Sequence, residues 1–179
     1  FYDEIRIPPS KIPVISVLNS SLKILNSSTL RAFWIGHASV YVEIDGIRIL
    51  IDPVFSDYAS PFGFGPKRFH PPPITLQDLP KIDAVVISHD HYDHLDMSTI
   101  EFFIGRDAKF VVTLGVKAHL IGWGIAAERV TEKDWWAQAA FPKVTFIATP
   151  AQHFSGRDGL HTNETLWASW VVKSANHNI

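Results

Sequence analysis

The 179-residue chain contains no cysteine and a single methionine. Disulfide bonds and thiolate metal sites are therefore excluded, and the redox compartment is left open. Neither sign of charge dominates, with 16 Lys and Arg against 18 Asp and Glu for a net charge of −2. That balance carries no basic footprint, so no nucleic-acid partner is expected. No apolar run reaches the roughly eighteen residues needed to cross a bilayer. A secretory signal is also missing, but the chain opens on Phe1 rather than methionine. The native start is expected to be absent, which leaves localisation unread. What remains, 46% apolar and 19% charged residues, is enough for one domain with a real core.

Residues 1–29 read as an N-terminal arm, in which Pro8-Pro9, Pro13 and Asn19-Ser20-Ser21 interrupt short apolar patches. Leu22 to Leu25 has room for a short helix. Residues 30–179 read as the domain. Ala32–Ile35, Val40–Ile44 and Ile47–Ile51 are rich in β-branched and aromatic residues, and Asp45-Gly46 is a type I′ hairpin signal. Val54 to Pro73 is a long loop whose Phe55, Tyr58, Phe62, Phe64 and Phe69 suit a packed wall. Lys67 and Arg68 within it could meet a phosphate, although a solvated basic pair is the commoner outcome. Further strands are expected at Ala84–Ile87, Lys109–Thr113, Glu128–Thr131, Lys143–Ala148 and Trp167–Val172, with helices over Met97–Ile104 and Gly115–Ile121. The Trp135-Trp136 pair reads as core and wall, and the polar loop Phe154–Thr165 as mobile.

The chemistry is concentrated where Ala84-Val85-Val86-Ile87 runs out, in Ser88-His89-Asp90-His91-Tyr92-Asp93-His94-Leu95-Asp96. Residues two apart on an extended chain point the same way, so His89 and His91 converge. Asp93 and His94 follow in the turn, and Asp96 suits the N-cap of the next helix. Imidazole nitrogens with a carboxylate oxygen suit zinc and similar borderline metals. Asp52, at the end of a strand, could accept the free N–H of a metal-binding histidine; a turn-initiating Asp-Pro is the plainer reading. His70, His119, His161 and His177 lack ligand spacing and are read as structural.

The HxHxDH pattern after a hydrophobic strand resembles the metallo-β-lactamase fold superfamily. Trp34-Ile35-Gly36-His37-Ala38-Ser39, Gly65-Pro66-Lys67-Arg68-Phe69, Asp134-Trp135-Trp136, Thr149-Pro150-Ala151-Gln152-His153 and Leu166-Trp167-Ala168-Ser169-Trp170 resemble one branch of it, the N-acyl-phosphatidylethanolamine-hydrolysing phospholipase D enzymes and their bacterial relatives. The resemblance implies an α/β (α+β) chain forming part of an αββα sandwich, with metals at one edge between two sheets. The superfamily's bridging aspartate and final histidine are not found here, so the chain is expected to be the first half of an enzyme, or slightly more. One mixed, mainly antiparallel sheet is expected, with helices on one face and the other face bare or covered by another chain.

The same resemblance implies His89, His91 and His153 as ligands of a first zinc and Asp93 and His94 as the first ligands of a second. Asp93 gains a secondary proton role, and His37, Asp52 and Gln152 support the metals or touch substrate. Histidine rather than glutamate at position 91 favours a zinc hydrolase over the iron flavoprotein branch. The implied activity is a zinc-dependent phosphodiesterase acting on a phospholipid or other phosphodiester. A phosphosugar lactonase-like hydrolase, or a catalytically silent metal-binding fragment, stand as alternatives. Peripheral membrane contact, a homodimer and docking of a missing C-terminal half are compatible partner arrangements.

Overall fold

The computed structural model describes residues 8–16, 22, 28–60, 62–158 and 160–179. The short helix expected over 22–25 lies outside the described residues except for Leu22, which is buried in the core.

Two sheets form. The first has six strands in sequence order: β1 Leu30–Gly36, β2 Ser39–Ile44, β3 Ile47–Ile51, β4 Ala84–Ile87, β5 Lys109–Thr113 and β6 Val130–Lys133. β1 to β3 are antiparallel neighbours, and β3 to β6 pair in parallel. The β2–β3 hairpin closes on Asp45 and Gly46, whose φ of 47° and 83° are the positive pair that a type I′ turn requires. The parallel strands need crossovers, and the segments carrying α1 Met97–Phe102 and α2 Val116–Gly122 provide two of them.

Strand alternation sorts the core into two layers. Tyr41, Leu50, Val85, Ile87, Phe110 and Val112 face Ile100 and Phe103 around α1 and Val116 and Leu120 of α2. Val42, Ile44, Ile49, Ala84, Val86 and Val111 point to the opposite side. A second, antiparallel sheet covers that side: β7 Gln138–Ala140, β8 Val144–Thr149 and β9 Ser169–Ser174, packing through Ala139, Val144, Phe146 and Val172. The expectation of one sheet with a bare face is thus corrected. The face is apolar as expected, but the chain's own second sheet seals it.

Other details differ locally. The strand expected at Glu128–Thr131 begins as a 3-10 turn over Ala127–Arg129 and becomes extended only where Val130 meets Phe110. Trp135 is half-buried and donates its indole N–H to Trp167 O at 2.6 Å, whereas Trp136 is 70% exposed and belongs to no core.

The architecture brings four connections to one end. β3 and β4 are parallel, so Asp52 and the Ser88–His94 turn leave the sheet side by side. The β1–β2 turn arrives antiparallel with His37, and β8 delivers the segment running to His153. The 54–73 loop folds back on itself through Ala59 N–H to Pro66 O and Arg68 N–H to Asp57 O, both 2.9 Å, and lies over the same end.

Candidate metal centre

Buried β-branched residues hold β4 in the middle of the sheet, and the chain turns sharply after Ile87. His89 Nε2 then lies 3.0 Å from His91 Nδ1 and 3.0 Å from His153 Nε2. His153 comes from the other sheet, 64 residues later. Beside this trio stands a second group, His37, Asp93 and His94, whose ligand-type atoms also lie within 4.8 Å of one another. His37 Nε2 is 2.7 Å from Asp93 Oδ2, and His94 Nε2 is 3.8 Å from the same oxygen.

Hydrogen bonds fix the ring tautomers. Ser88 Oγ donates to Asp52 Oδ2 at 2.6 Å, which leaves its oxygen to accept the His89 Nδ1–H at 2.8 Å. His94 Nδ1–H donates to Asp52 Oδ2 at 2.9 Å. One carboxylate therefore governs both groups, directly for His94 and through a hydroxyl for His89. The Nε2 lone pairs of both rings are left facing the clusters. The single lone pair of His89 Nε2 can accept only one in-plane hydrogen bond, yet two nitrogens approach it at 3.0 Å. A cation shared by the three nitrogens satisfies them all, and the donor set is one that zinc takes.

The site's electrostatics fit the same donors. His89 is pushed down to about 3, first by burial and then by the neighbouring His94, His91 and His153. Burial likewise lowers His91. Burial would also lower His94, but the hydrogen bond and charge of Asp52, with Asp93, outweigh it and raise the ring. Burial works against the ionised form of Asp93, and the charges of His94 and His37 overcome it and lower its pKa. A metal needs neutral imidazoles and an ionised carboxylate; His89, His91 and Asp93 are shifted toward those forms, whereas the raised His94 must release a proton to ligate.

The backbone is bent to make this possible. His37 and Asp52 have φ of 51° and 40°, in the left-handed region that non-glycine residues rarely adopt. Gly36, at φ 134°, passes so close to Arg68 that a Cβ would sit 2.5 Å from the guanidinium. Trp34 Nε1–H donates to His37 O at 2.8 Å and helps hold the turn.

A cavity of about 630 Å³ opens onto the donors, bounded by Trp34, His37, Phe69, His91, Tyr92 and Asp93. The 54–73 loop supplies much of its wall. Arg68 is not a free phosphate ligand, because its guanidinium donates to the carbonyls of Val54, Ile35 and His70 at 2.6–3.2 Å. Lys67 is exposed and lies 5.4 Å over the Tyr58 ring. Gln152 is exposed beside His153 and, among the described residues, makes none of the contacts that tie the cluster together.

Asp96 occupies the N-cap position of α1, but its carboxylate does not cap that helix's backbone. It accepts the backbone N–H groups of Phe55 and Ser56 at 3.2 and 3.1 Å, pinning the start of the wall loop. The lone histidines have partners: His177 meets Asp45 at 3.2 Å, His161 meets Asp158 at 2.7 Å, and His119 lies 3.5 Å from Asp90. Sequence reasoning passed over Ser88 and Asp90. Their places beside and between the two histidines of the motif were the available signal.

Residues 47–179 match the family model described as a beta-lactamase superfamily domain. The chain belongs to the β-lactamase superfamily. An uncharacterized Mycobacterium tuberculosis protein is 51% identical over 85% of this chain and 41% of its own length. The N-acyl-phosphatidylethanolamine-hydrolyzing phospholipase D 1 of Caenorhabditis elegans is 41% identical over 89% of this chain and 50% of its own length. The chain therefore spans half or less of these curated relatives. Among solved structures, CmlA, a diiron beta-hydroxylase from Streptomyces venezuelae, superposes with a TM-score of 0.61 at 25% identity, over 83% of this chain and 28% of that one. The mixed α/β architecture with a mainly sheet core is that of the metallo-β-lactamase fold.

Proposed function

We propose that the chain is the metal-binding part of a zinc-dependent phosphodiesterase that hydrolyses an N-acyl-phosphatidylethanolamine or a closely related phospholipid. The observation that carries this reading is the convergence of His89, His91 and His153 on one point, beside the His37–Asp93–His94 group and at the mouth of an aromatic-walled cavity. Similarity to the worm phospholipase over most of the chain supports the substrate class.

A zinc ion held there would supply Lewis acidity and lower the pKa of a coordinated water to about 7. His89, His91 and His153 would hold the first ion, and Asp93 and His94 would provide the first ligands for a second. Asp52 and Ser88 hold the His94 and His89 rings in the required tautomers. The secondary proton role of Asp93 would run through His37, whose Nε2 lies 2.7 Å from Asp93 Oδ2 and can carry the proton while the carboxylate stays ionised. Trp34, Phe69 and Tyr92 offer apolar surface to an acyl chain and keep bulk water from that side.

The test is turnover of an N-acyl-phosphatidylethanolamine and of a chromogenic phosphodiester by the whole protein, zinc-loaded and chelator-stripped. Zinc-dependent release of phosphatidic acid is expected. No turnover on any phosphodiester, with opening of a sugar-phosphate lactone instead, would contradict the reading and favour the lactonase-like alternative. The chain by itself is expected to be much the weaker catalyst, because only Asp93 and His94 are assigned to the second ion. Loss of even one preorganised stabilising donor typically costs about 10²–10³ in rate.

A further inference from the structure

We propose that Asp90 and Arg157 are positioning residues, a clasp that fastens the His153 segment to the His89–His91 segment and so sets the geometry of the three-nitrogen centre. The proposal rests on the reading of that trio as a metal centre. The two segments leave different sheets, and the strand pairing of neither sheet fixes the distance between them. Ala168 N–H to Ser88 O and Trp170 Nε1–H to Ile87 O, both 3.0 Å, join the sheets at the start of the motif, and Trp167 Nε1–H holds Ala151 O at 2.8 Å; the chain from His153 onward is tied to the motif by further contacts.

Asp90 sits between the two histidines of the motif, just past the end of β4, and its carboxylate is turned into the protein toward Gly156 and His119. It is 3% exposed. Its Oδ1 accepts the N–H of Gly156 at 2.7 Å, three residues after His153. The next residue, Arg157, reaches back across the motif and donates to the carbonyls of Asp90 and Leu95, at 2.8 Å each. Its guanidinium is held between the Tyr92 ring at 4.3 Å and the Trp123 ring at 5.0 Å. On the far side, His119 Nε2 from α2 stands 3.5 Å from Asp90 Oδ2 and stacks on Trp123. Ser155, fully buried, donates to Thr165 O. The loop read from sequence as mobile is therefore anchored just after its ligand-bearing residue. Burying a guanidinium and a carboxylate is costly unless their contacts are met, and both are met across the junction of the two ligand segments.

The experiment measures metal affinity by chelator competition and the absorption spectrum of the cobalt(II)-loaded chain for Asp90→Asn and Arg157→Ala. Outer contacts of this kind typically shift metal affinity by about 10–100-fold. A loss in that range with an altered cobalt spectrum is expected for both variants, with Arg157→Lys recovering part of it. Arg129→Ala is the control, since that arginine also donates to buried-side carbonyls, Ala108 O and Phe103 O, but far from the site. Wild-type affinity and spectrum in Asp90→Asn and Arg157→Ala would overturn the proposal, as would an equal loss in Arg129→Ala. Should Arg157→Ala fail to fold, Asp90→Asn, of nearly the same shape, decides alone. If the wild-type chain takes no metal, the functional reading fails separately. The His153 imidazole NMR signals of the metal-free chain then test the clasp: Arg157→Ala should move them, and unmoved signals would overturn it.

Discussion

Single side chains carry most of the control over this site. Ser88 is a clear case, because its hydroxyl gives its proton to Asp52 and takes one from His89. Ser88→Ala should weaken metal binding about 10–100-fold by chelator competition, while Ser88→Thr, which keeps the hydroxyl, should stay near wild type. Acid stability reports on His89. Its folded-state value is pushed from 6.5 to about 3, so on acidification the unfolded chain takes the proton first. The metal-free chain should lose stability as pH falls from about 6.5 toward 3. His94, raised in the fold, acts in the opposite sense: the stability it adds is present below its unfolded value and lost as pH climbs through the folded one. Thermal unfolding of metal-free wild type and His89→Gln across this range provides the check. A smaller acid loss in the variant is expected, and an equal or larger one would contradict the assignment.

Strands and loops place those side chains, and some were easier to read than others. Ala84 to Ile87 is apolar at every position, which signals a strand buried on both faces, and the turn after it concentrates candidate metal ligands within a few residues. Asp45-Gly46 announced its hairpin because the turn geometry demands residues that tolerate positive φ. By contrast, Gln138-Ala139-Ala140 has no strand signature and is extended because Ala139 pairs with Phe146. Asp96 looked like a helix cap, and its carboxylate instead serves Phe55 and Ser56, some 40 residues away. Local pattern cannot reveal a partner that distant in sequence, and Arg157 was hidden for the same reason. At the end of β2 remote from the site, buried Glu43 holds together Arg31, Arg48 and the Tyr41 hydroxyl. Removing one member of such a buried network typically costs about 3–5 kcal/mol. Glu43→Ala should lower the denaturant midpoint accordingly while leaving metal affinity unchanged. A loss of metal instead would mean that this end of the sheet and the site are coupled.

For the molecule as a whole, the two sheets matter because the candidate centre straddles them. The first sheet supplies His37, Asp52 and the motif, and the second supplies His153. A site assembled this way depends on the packing of Val42, Val86 and Val111 against Phe146 and Val172 as much as on its candidate ligands. The cavity beside it provides apolar wall and donor cluster in one place, which suits a phosphodiester that carries acyl chains. The most direct measurement is isotopic. The whole protein, loaded with zinc, is given an N-acyl-phosphatidylethanolamine in ¹⁸O-labelled water, and the products are weighed by mass spectrometry. Attack of water on phosphorus forms the new P–O bond and expels the N-acylethanolamine as its alcohol. One labelled oxygen should therefore appear in phosphatidic acid and none in the N-acylethanolamine. Label in a released fatty acid, or phosphatidic acid without label, would contradict metal-assisted phosphodiester hydrolysis at this site.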